Sequence, residues 1–225
     1  MGEFGALMMR EVNLLDSYPR SARDIASRES AVPSGREVAK RFGEEYFDGD
    51  RGQGYGGYRY DGRWVPVAER MRDFYRLRAG HRVLDVGCAK GFLLHDFRRV
   101  VPGVRVAGLD VSEYALAHAM DDVRPFLVQG TADALPFPDS AFDLVVSINT
   151  IHNLERSRCV RALRELERVG AHGRYVQLDS WLTEEQRINF ERWQLTALTY
   201  SDPAGWRGLF AEAEYTGDYY WTLTE

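Results

Sequence analysis

Residues 83–92 read VLDVGCAKGF, an apolar run that breaks at glycine and resumes as FLLHDFRRV over 92–100. Val83, Leu84 and Val86 suit a short strand. Gly87 and Gly91 suit a tight turn, because glycine lets the backbone bend and approach a ligand with no Cβ in the way. The following helix start would add free N–H groups and a partial positive charge. The segment therefore reads as strand, glycine turn and helix. A dinucleotide-binding turn would be G-x-G-x-x-G. Here Ala89 takes the second glycine position and Phe92 the third, leaving D-x-G-x-A-x-G from Asp85 to Gly91.

The same alternation continues downstream. VRVAGLD (104–110) predicts a second strand, and SEYALAHAM (112–120) a helix with Ser112 as N-cap. PFLVQG (125–130) and FDLVVSI (142–148) predict the third and fourth strands. LERSRCVRALRELERV (154–169) is amphipathic, with Cys159, Leu163 and Leu166 on one stripe. GRYVQLDS (173–180) is a fifth strand, helices are expected near 184–198 and 203–213, and TGDYYWTLT (216–224) is a late strand. Strands alternating with helices predict an α/β fold: a doubly wound, mostly parallel sheet with helices on both faces. This core should span 80–225.

Upstream, residues 1–35 read as an irregular arm, and MGEFGAL before Met8 and Met9 as a cloning remnant. Residues 36–79 read as a helical cap. Val38, Phe42 and Tyr46 recur at helical spacing and predict a helix from Arg36. Five glycines between 52 and 62 forbid a helix there, so Tyr55, Tyr58, Tyr60 and Trp64 sit in an aromatic loop. A second cap helix is expected from about Pro66 to Leu77, burying Val67, Met71, Phe74 and Leu77.

The chain has 225 residues and a net charge of −5, so it lacks the basic footprint of a nucleic-acid binder. Two distant cysteines make no disulfide framework, and a reducing, cytoplasmic setting is expected. No apolar run approaches the ~20 residues of a membrane span, and the first ten residues lack a signal-peptide pattern. A small-molecule partner is expected, with no nucleic acid and no membrane. A homodimer is compatible with these numbers.

D-x-G-x-A-x-G resembles motif I of the class I S-adenosylmethionine-dependent methyltransferases, small-molecule branch. The resemblance covers roughly residues 80–180. It implies that Asp85 faces the methionine part of S-adenosylmethionine, with Gly87, Cys88, Ala89 and Gly91 forming the turn. Asp110, 25 residues after Asp85, would hold both ribose hydroxyls, with Val111 beside it. In GTADALPF (130–137), Asp133 would bind the adenine amino group, with Ala132 next to it. PFPDSAFDLVVSINTIHNL (136–154) resembles motif IV. Ala89 departs from the commoner glycine. The chain also stops soon after strand six, which puts the family's antiparallel edge hairpin in doubt.

Residues after strand four border the transferred methyl group in this fold. Asn149 and His152 lie there. A neutral imidazole suits general-base work on a hydroxyl or ammonium acceptor. His152 is the candidate base, with substrate contact or a packing role as the other readings. Tyr55, Tyr58, Tyr60 and Trp64 could line a lid over the cofactor, whose sulfonium is attracted to aromatic faces, with Tyr58 a catalytic candidate beside Asn149 and His152; an aromatic cap packed on the sheet is the other reading. Arg59 or Arg63 could pair with a carboxylate. Cys88 reads as buried beneath the cofactor. No metal is expected, since Asn149 stands where a magnesium-dependent enzyme carries an acid, although Asp179 keeps that alternative open. No N-P-P-[YF], D-P-P-Y or Pro-Cys element occurs, which favours a small acceptor. Methylation of oxygen or nitrogen leads, with S-adenosylhomocysteine as product. Carbon methylation of a keto acid or enol and noncatalytic cofactor binding are the alternatives. A nicotinamide-dependent oxidoreductase is disfavoured by Phe92 and by the lack of a Y-x-x-x-K pair.

Overall fold

Six strands form a single sheet: β1 (Arg82–Val86), β2 (Arg105–Asp110), β3 (Leu127–Gln129), β4 (Phe142–Ile148), β5 (Gly170–Ser180) and β6 (Asp218–Leu223). Their order in space is β3-β2-β1-β4-β5-β6, and every adjacent pair is parallel. The computed structural model describes residues 9–19 and 23–224; the opening MGEFGAL lies outside them. The helices are α1 (Ile25–Ala39), α2 (Glu44–Phe47), α3 (Val65–Tyr75), α4 (Phe92–Val100), α5 (Glu113–Ala117), α6 (Arg156–Val169), α7 (Glu184–Trp193) and α8 (Pro203–Ala213). Among the described residues, no helix is long and apolar enough to cross a membrane.

Side chains alternate across a strand, so a sheet buried on both faces feeds two cores. Val83, Leu144, Val146 and Tyr175 pack with Met71 of α3 and Leu94 and Phe97 of α4 on one face. Leu84, Val86, Val145 and Val176 pack with Leu163 and Leu166 of α6 and Trp206 and Phe210 of α8 on the other. Burying each such aliphatic side chain stabilises the fold by about 1.5–3 kcal/mol. Ser112 caps α5 as expected, its hydroxyl accepting from Ala115 N–H at 3.0 Å, which is worth ~1 kcal/mol.

The arm differs from the expectation. Its second half is helical, so the boundary anticipated at residue 36 falls inside α1. Its first half docks on the sheet. Glu11 forms a parallel bridge with Tyr219, whose N–H donates to the Arg10 carbonyl at 3.0 Å and whose carbonyl accepts from Val12 N–H at 2.9 Å. Arg10 makes a two-pronged pair with Asp218, both contacts 2.8 Å. Leu14 is buried in the core beside Tyr175. No antiparallel strand occurs among the described residues, and β6 lies directly against β5.

The helix expected from Arg36 through Tyr46 is instead broken. α1 ends at Ala39, Phe42 takes a left-handed φ of 49°, and α2 restarts at Glu44. The Phe42 carbonyl accepts from the Ser112 hydroxyl at 2.5 Å, which pins the break over the sheet. α3 ends at Tyr75, before Leu77, which is buried just beyond the left-handed Arg76.

Candidate active site

A cavity of about 580 Å³ opens at the C-terminal ends of β1, β4, β5 and β6. In open parallel sheets, ligands bind there, where the strand order reverses between β1 and its neighbour. The arm, α1, the aromatic loop and the segment after α7 form its other walls.

The motif turn makes the floor. Gly87 has φ +86°, and a Cβ there would lie 2.0 Å from Thr150 Oγ1, so glycine is required both for conformation and for space. Ala89 takes a φ of 49° and donates its N–H to Asp110 at 2.8 Å. Gly91, at φ +72°, starts α4. Cys88 is buried, and burial pushes its thiol pKa far up, so it is inert. Asp85 lines the cavity at 6% exposure and makes no side-chain hydrogen bond among the described residues. Burial first, then repulsion from Asp110, pushes its carboxyl up to about 7.

The β4 end supplies Asn149, at φ +51°, whose Oδ1 accepts from the Thr222 hydroxyl at 2.9 Å. Gln177 donates to the same hydroxyl at 2.9 Å. His152 lines the cavity beside Asp179, with Nε2 3.5 Å from Asp179 Oδ2. Its carbonyl accepts from Leu198 N–H at 2.9 Å and Thr199 N–H at 3.0 Å, which fixes the turn. Burial lowers the imidazole pKa below 6.5, with Asp179 opposing. His152 is therefore neutral near pH 7, the form a base requires.

The aromatic loop is clamped onto this floor. Lys90, inside the motif turn, reaches Asp48 at 2.6 Å and the Tyr58 carbonyl at 3.0 Å. Tyr58 stacks on Phe92 at 4.8 Å and packs against Tyr55 at 4.5 Å. Burial holds the Tyr58 hydroxyl pKa far above 10, with Tyr18 and Asp85 adding to it. Tyr58 can donate a hydrogen bond into the cavity but cannot act as a base near neutral pH. Gly54 allows close packing rather than motion, since a Cβ there would sit 1.9 Å from the Tyr46 carbonyl. Tyr60 turns away from the cavity to bond Asp96 at 2.6 Å. Arg63 lines the cavity paired with Asp61, and Arg59 does not line it.

Five expected cofactor residues lie outside the cavity lining: Gly91 at the start of α4, and Asp110, Val111, Ala132 and Asp133. Asp110 is at the end of β2, where its carboxylate accepts from Ala89 and Ser112 N–H, both at 2.8 Å. It braces the motif turn beside the cavity and is not part of the cavity lining. Val111 is 42% exposed, and Ala132 is buried in the core. Asp133, expected at the adenine amino group, is ion-paired on the outer side of α6. Arg158 holds both its oxygens at 2.8 Å and Arg161 approaches at 3.3 Å, so the carboxyl is held well below the usual range.

Residues 83–173 match the family described as a methyltransferase domain. They form a methyltransferase domain. Its class takes its methyl group from S-adenosylmethionine, the donor anticipated from the motif turn. The chain is 33% identical over 117 residues to the uncharacterized methyltransferase YcgJ of Bacillus subtilis, covering 48% of this chain and 44% of that protein. It is 32% identical over 114 residues to 27-O-demethylrifamycin SV methyltransferase of Amycolatopsis mediterranei, covering 46% and 41%. It is 30% identical over 130 residues to the probable tRNA methyltransferase 9B of Mus musculus, covering 57% and 27%. The chain thus spans under half the length of these curated relatives. The solved YcgJ structure shares the fold, with a TM-score of 0.54 at 23% identity over 68% of each chain.

The donor fits this domain on the structure's own terms. Asp85 is a cavity-facing carboxylate without a cation beside it, which suits an ammonium, and the Gly87 turn keeps the floor clear. Sequence reasoning missed Gln177, Thr222 and Arg28 in the cavity wall. Polar residues at the C-terminal ends of β5 and β6 were a usable signal for the first two. Arg28 carried none, because its segment read as irregular.

Proposed function

We propose that this chain transfers a methyl group from S-adenosylmethionine to an oxygen or nitrogen of a small-molecule acceptor, with His152 as general base. The observation that carries this reading is that a single cavity brings together Asp85, Asn149, His152 and Asp179. The cofactor supplies an electrophilic methyl group on a sulfonium and leaves as S-adenosylhomocysteine. Asp85 holds the ammonium end, and the Gly87–Gly91 turn lies along the donor. Asn149, its carbonyl oxygen engaged by Thr222, offers its amide N–H groups to a bound ligand. Neutral His152, its Nε2–H directed at Asp179 Oδ2, takes the acceptor's proton on Nδ1 in place of the 3.5 Å Asp179 N–H contact as the new bond forms, and Asp179 stabilises the imidazolium that results. The aromatic cap excludes water. A cavity of about 580 Å³ is of the size that small-molecule ligands fill.

Titration calorimetry with S-adenosylmethionine, followed by S-adenosylhomocysteine release across hydroxyl- and amine-bearing small molecules, tests this. Micromolar donor binding is expected, and His152→Ala should lower turnover ~10²–10⁴-fold at unchanged donor affinity. Absence of donor binding, or full turnover in the variant, overturns it.

A further inference from the structure

The cavity has a cationic wall that the proposed transfer chemistry does not use. Arg28, on α1, is 9% exposed and lines the cavity. Its Nε donates to the Trp193 carbonyl at 3.0 Å, and its Nη1 donates to the Gly54 and Arg51 carbonyls at 3.0 and 2.5 Å. Its guanidinium lies 4.2 Å from the Trp193 ring centre. The two N–H donors on Nη2 meet no acceptor among the described residues. Arg51 adds a second guanidinium 5.6 Å from the same ring, and its Nη1 donates to the Tyr55 carbonyl at 2.7 Å. Among the described residues, no carboxylate forms a salt bridge with either arginine.

A guanidinium stays charged in a protein interior and is costly to bury without a counter-ion. Burial, helped by Arg51 and Arg23, lowers the Arg28 pKa to about 10, which still leaves it a cation at pH 7. Carbonyl oxygens satisfy its Nε and Nη1 donors without neutralising its charge. An anion completes the site.

We infer that the methyl acceptor carries a carboxylate, held by the free Nη2 edge of Arg28 with Arg51 beside it, against the face of Trp193. This rests on the methyltransferase reading above. The donor also has a carboxylate, so position decides between the two. Arg23, over the same Trp193 ring, donates to the Thr224 hydroxyl just past β6. β6 is three strands from β1, so the Arg23–Trp193 end of this cationic wall stands on the β6 side of the sheet. The donor's ammonium and carboxylate share one carbon, so a donor anchored at Asp85 keeps its carboxylate near β1. Asp85 is raised by burial and Asp110 alone, with no arginine close enough to bring it down.

The test uses calorimetry on the full chain saturated with S-adenosylhomocysteine. The probes are aromatic hydroxy- and amino-carboxylates with their matching amides, headed by 4-hydroxybenzoate and 4-hydroxybenzamide. At least one acid should bind ~10-fold or more tightly than its amide. Arg28→Gln should abolish that preference while donor affinity stays within about two-fold. Arg28→Lys should keep part of it, because the charge remains and the planar fork is lost. Arg28 also braces the loop, so Arg51→Gln, at an exposed position, is the second variant and should weaken the preference by a few-fold. Loss of donor affinity in Arg28→Gln would assign the arginine to the cofactor and overturn the inference. Equal binding of acids and amides, or no acid binding at all, also overturns it. Failure of the methyltransferase reading is distinct, because the wild-type chain would then bind no donor.

Discussion

Replacing Asp85 by asparagine should stabilise the ligand-free protein above pH 7 and remove its hold on the donor. The carboxyl is buried at the cavity floor with no hydrogen-bond donor on it, and its pKa stands near 7 against 3.8 for an ordinary aspartate. A raised acid pKa means that the folded state prefers the protonated form. The associated stability is therefore complete below about pH 4 and is lost as pH rises through 7. Three units correspond to about 4 kcal/mol. Water entering the cavity relieves part of that strain, so ~2–4 kcal/mol is the expected gain for an isosteric, uncharged asparagine at pH 8. For a chain of this length, that is a rise of about 5–15 °C in Tm. Thermal melts of both proteins from pH 4 to 8.5 would read it: the curves should coincide at the acid end and diverge toward pH 8. Adding S-adenosylmethionine at pH 8 should raise the wild-type Tm and leave the variant nearly unmoved. A gap that does not change with pH would refute the reasoning, since Asp85 would then be ionised and already compensated.

Three further outcomes follow from the same geometry. Gly87→Ala combines a left-handed φ with a Cβ 2.0 Å from Thr150 Oγ1; it should cost more than ~2 kcal/mol in urea unfolding and most of the donor affinity, and an unshifted midpoint would exclude the packing described. Arg10→Ala leaves Asp218, 3% exposed, with only the Tyr75 hydroxyl at 2.9 Å; a loss of ~1–3 kcal/mol is expected, and wild-type stability would mean that the arm contributes nothing. Because burial lowers the His152 pKa, the acid limb of kcat should fall below pH 6.5, and a limb above that value would contradict a buried neutral base.

The sheet was legible because its signals are local. FDLVVSI is β4 residue for residue, and the 203–213 helix is α8. Asp85, Gly87, Ala89 and Gly91 carry their turn within seven residues. The Asp133 ion pair could not be read from the sequence, because Arg158 lies on a helix 25 residues away and no spacing reports such a pairing. Phe42 and Tyr46 keep helical spacing, yet the tie from Ser112 to the Phe42 carbonyl breaks the helix between them, a tertiary override of periodicity. In the sequence the loop glycines read as helix breakers. In the structure Gly54 instead serves close approach to Tyr46.

What sequence reading could least foresee is that both ends of the chain build the site. A parallel sheet ending in β6 would present a row of unpaired N–H and C=O groups, a template for unwanted pairing. Arg10 and Val12 take the Tyr219 pair of those groups, and the Arg10–Asp218 contact fixes the register. The chain then runs directly into the cavity wall through Asn13, Leu15 and Tyr18, while Thr222, two strands from β4, reaches back to Asn149. Covering the sheet edge and lining the cavity are therefore performed by one continuous segment. Any change that loosens the arm from β6 disturbs the cavity wall where Tyr18 packs on Trp64, which links the stability of the sheet edge to ligand binding.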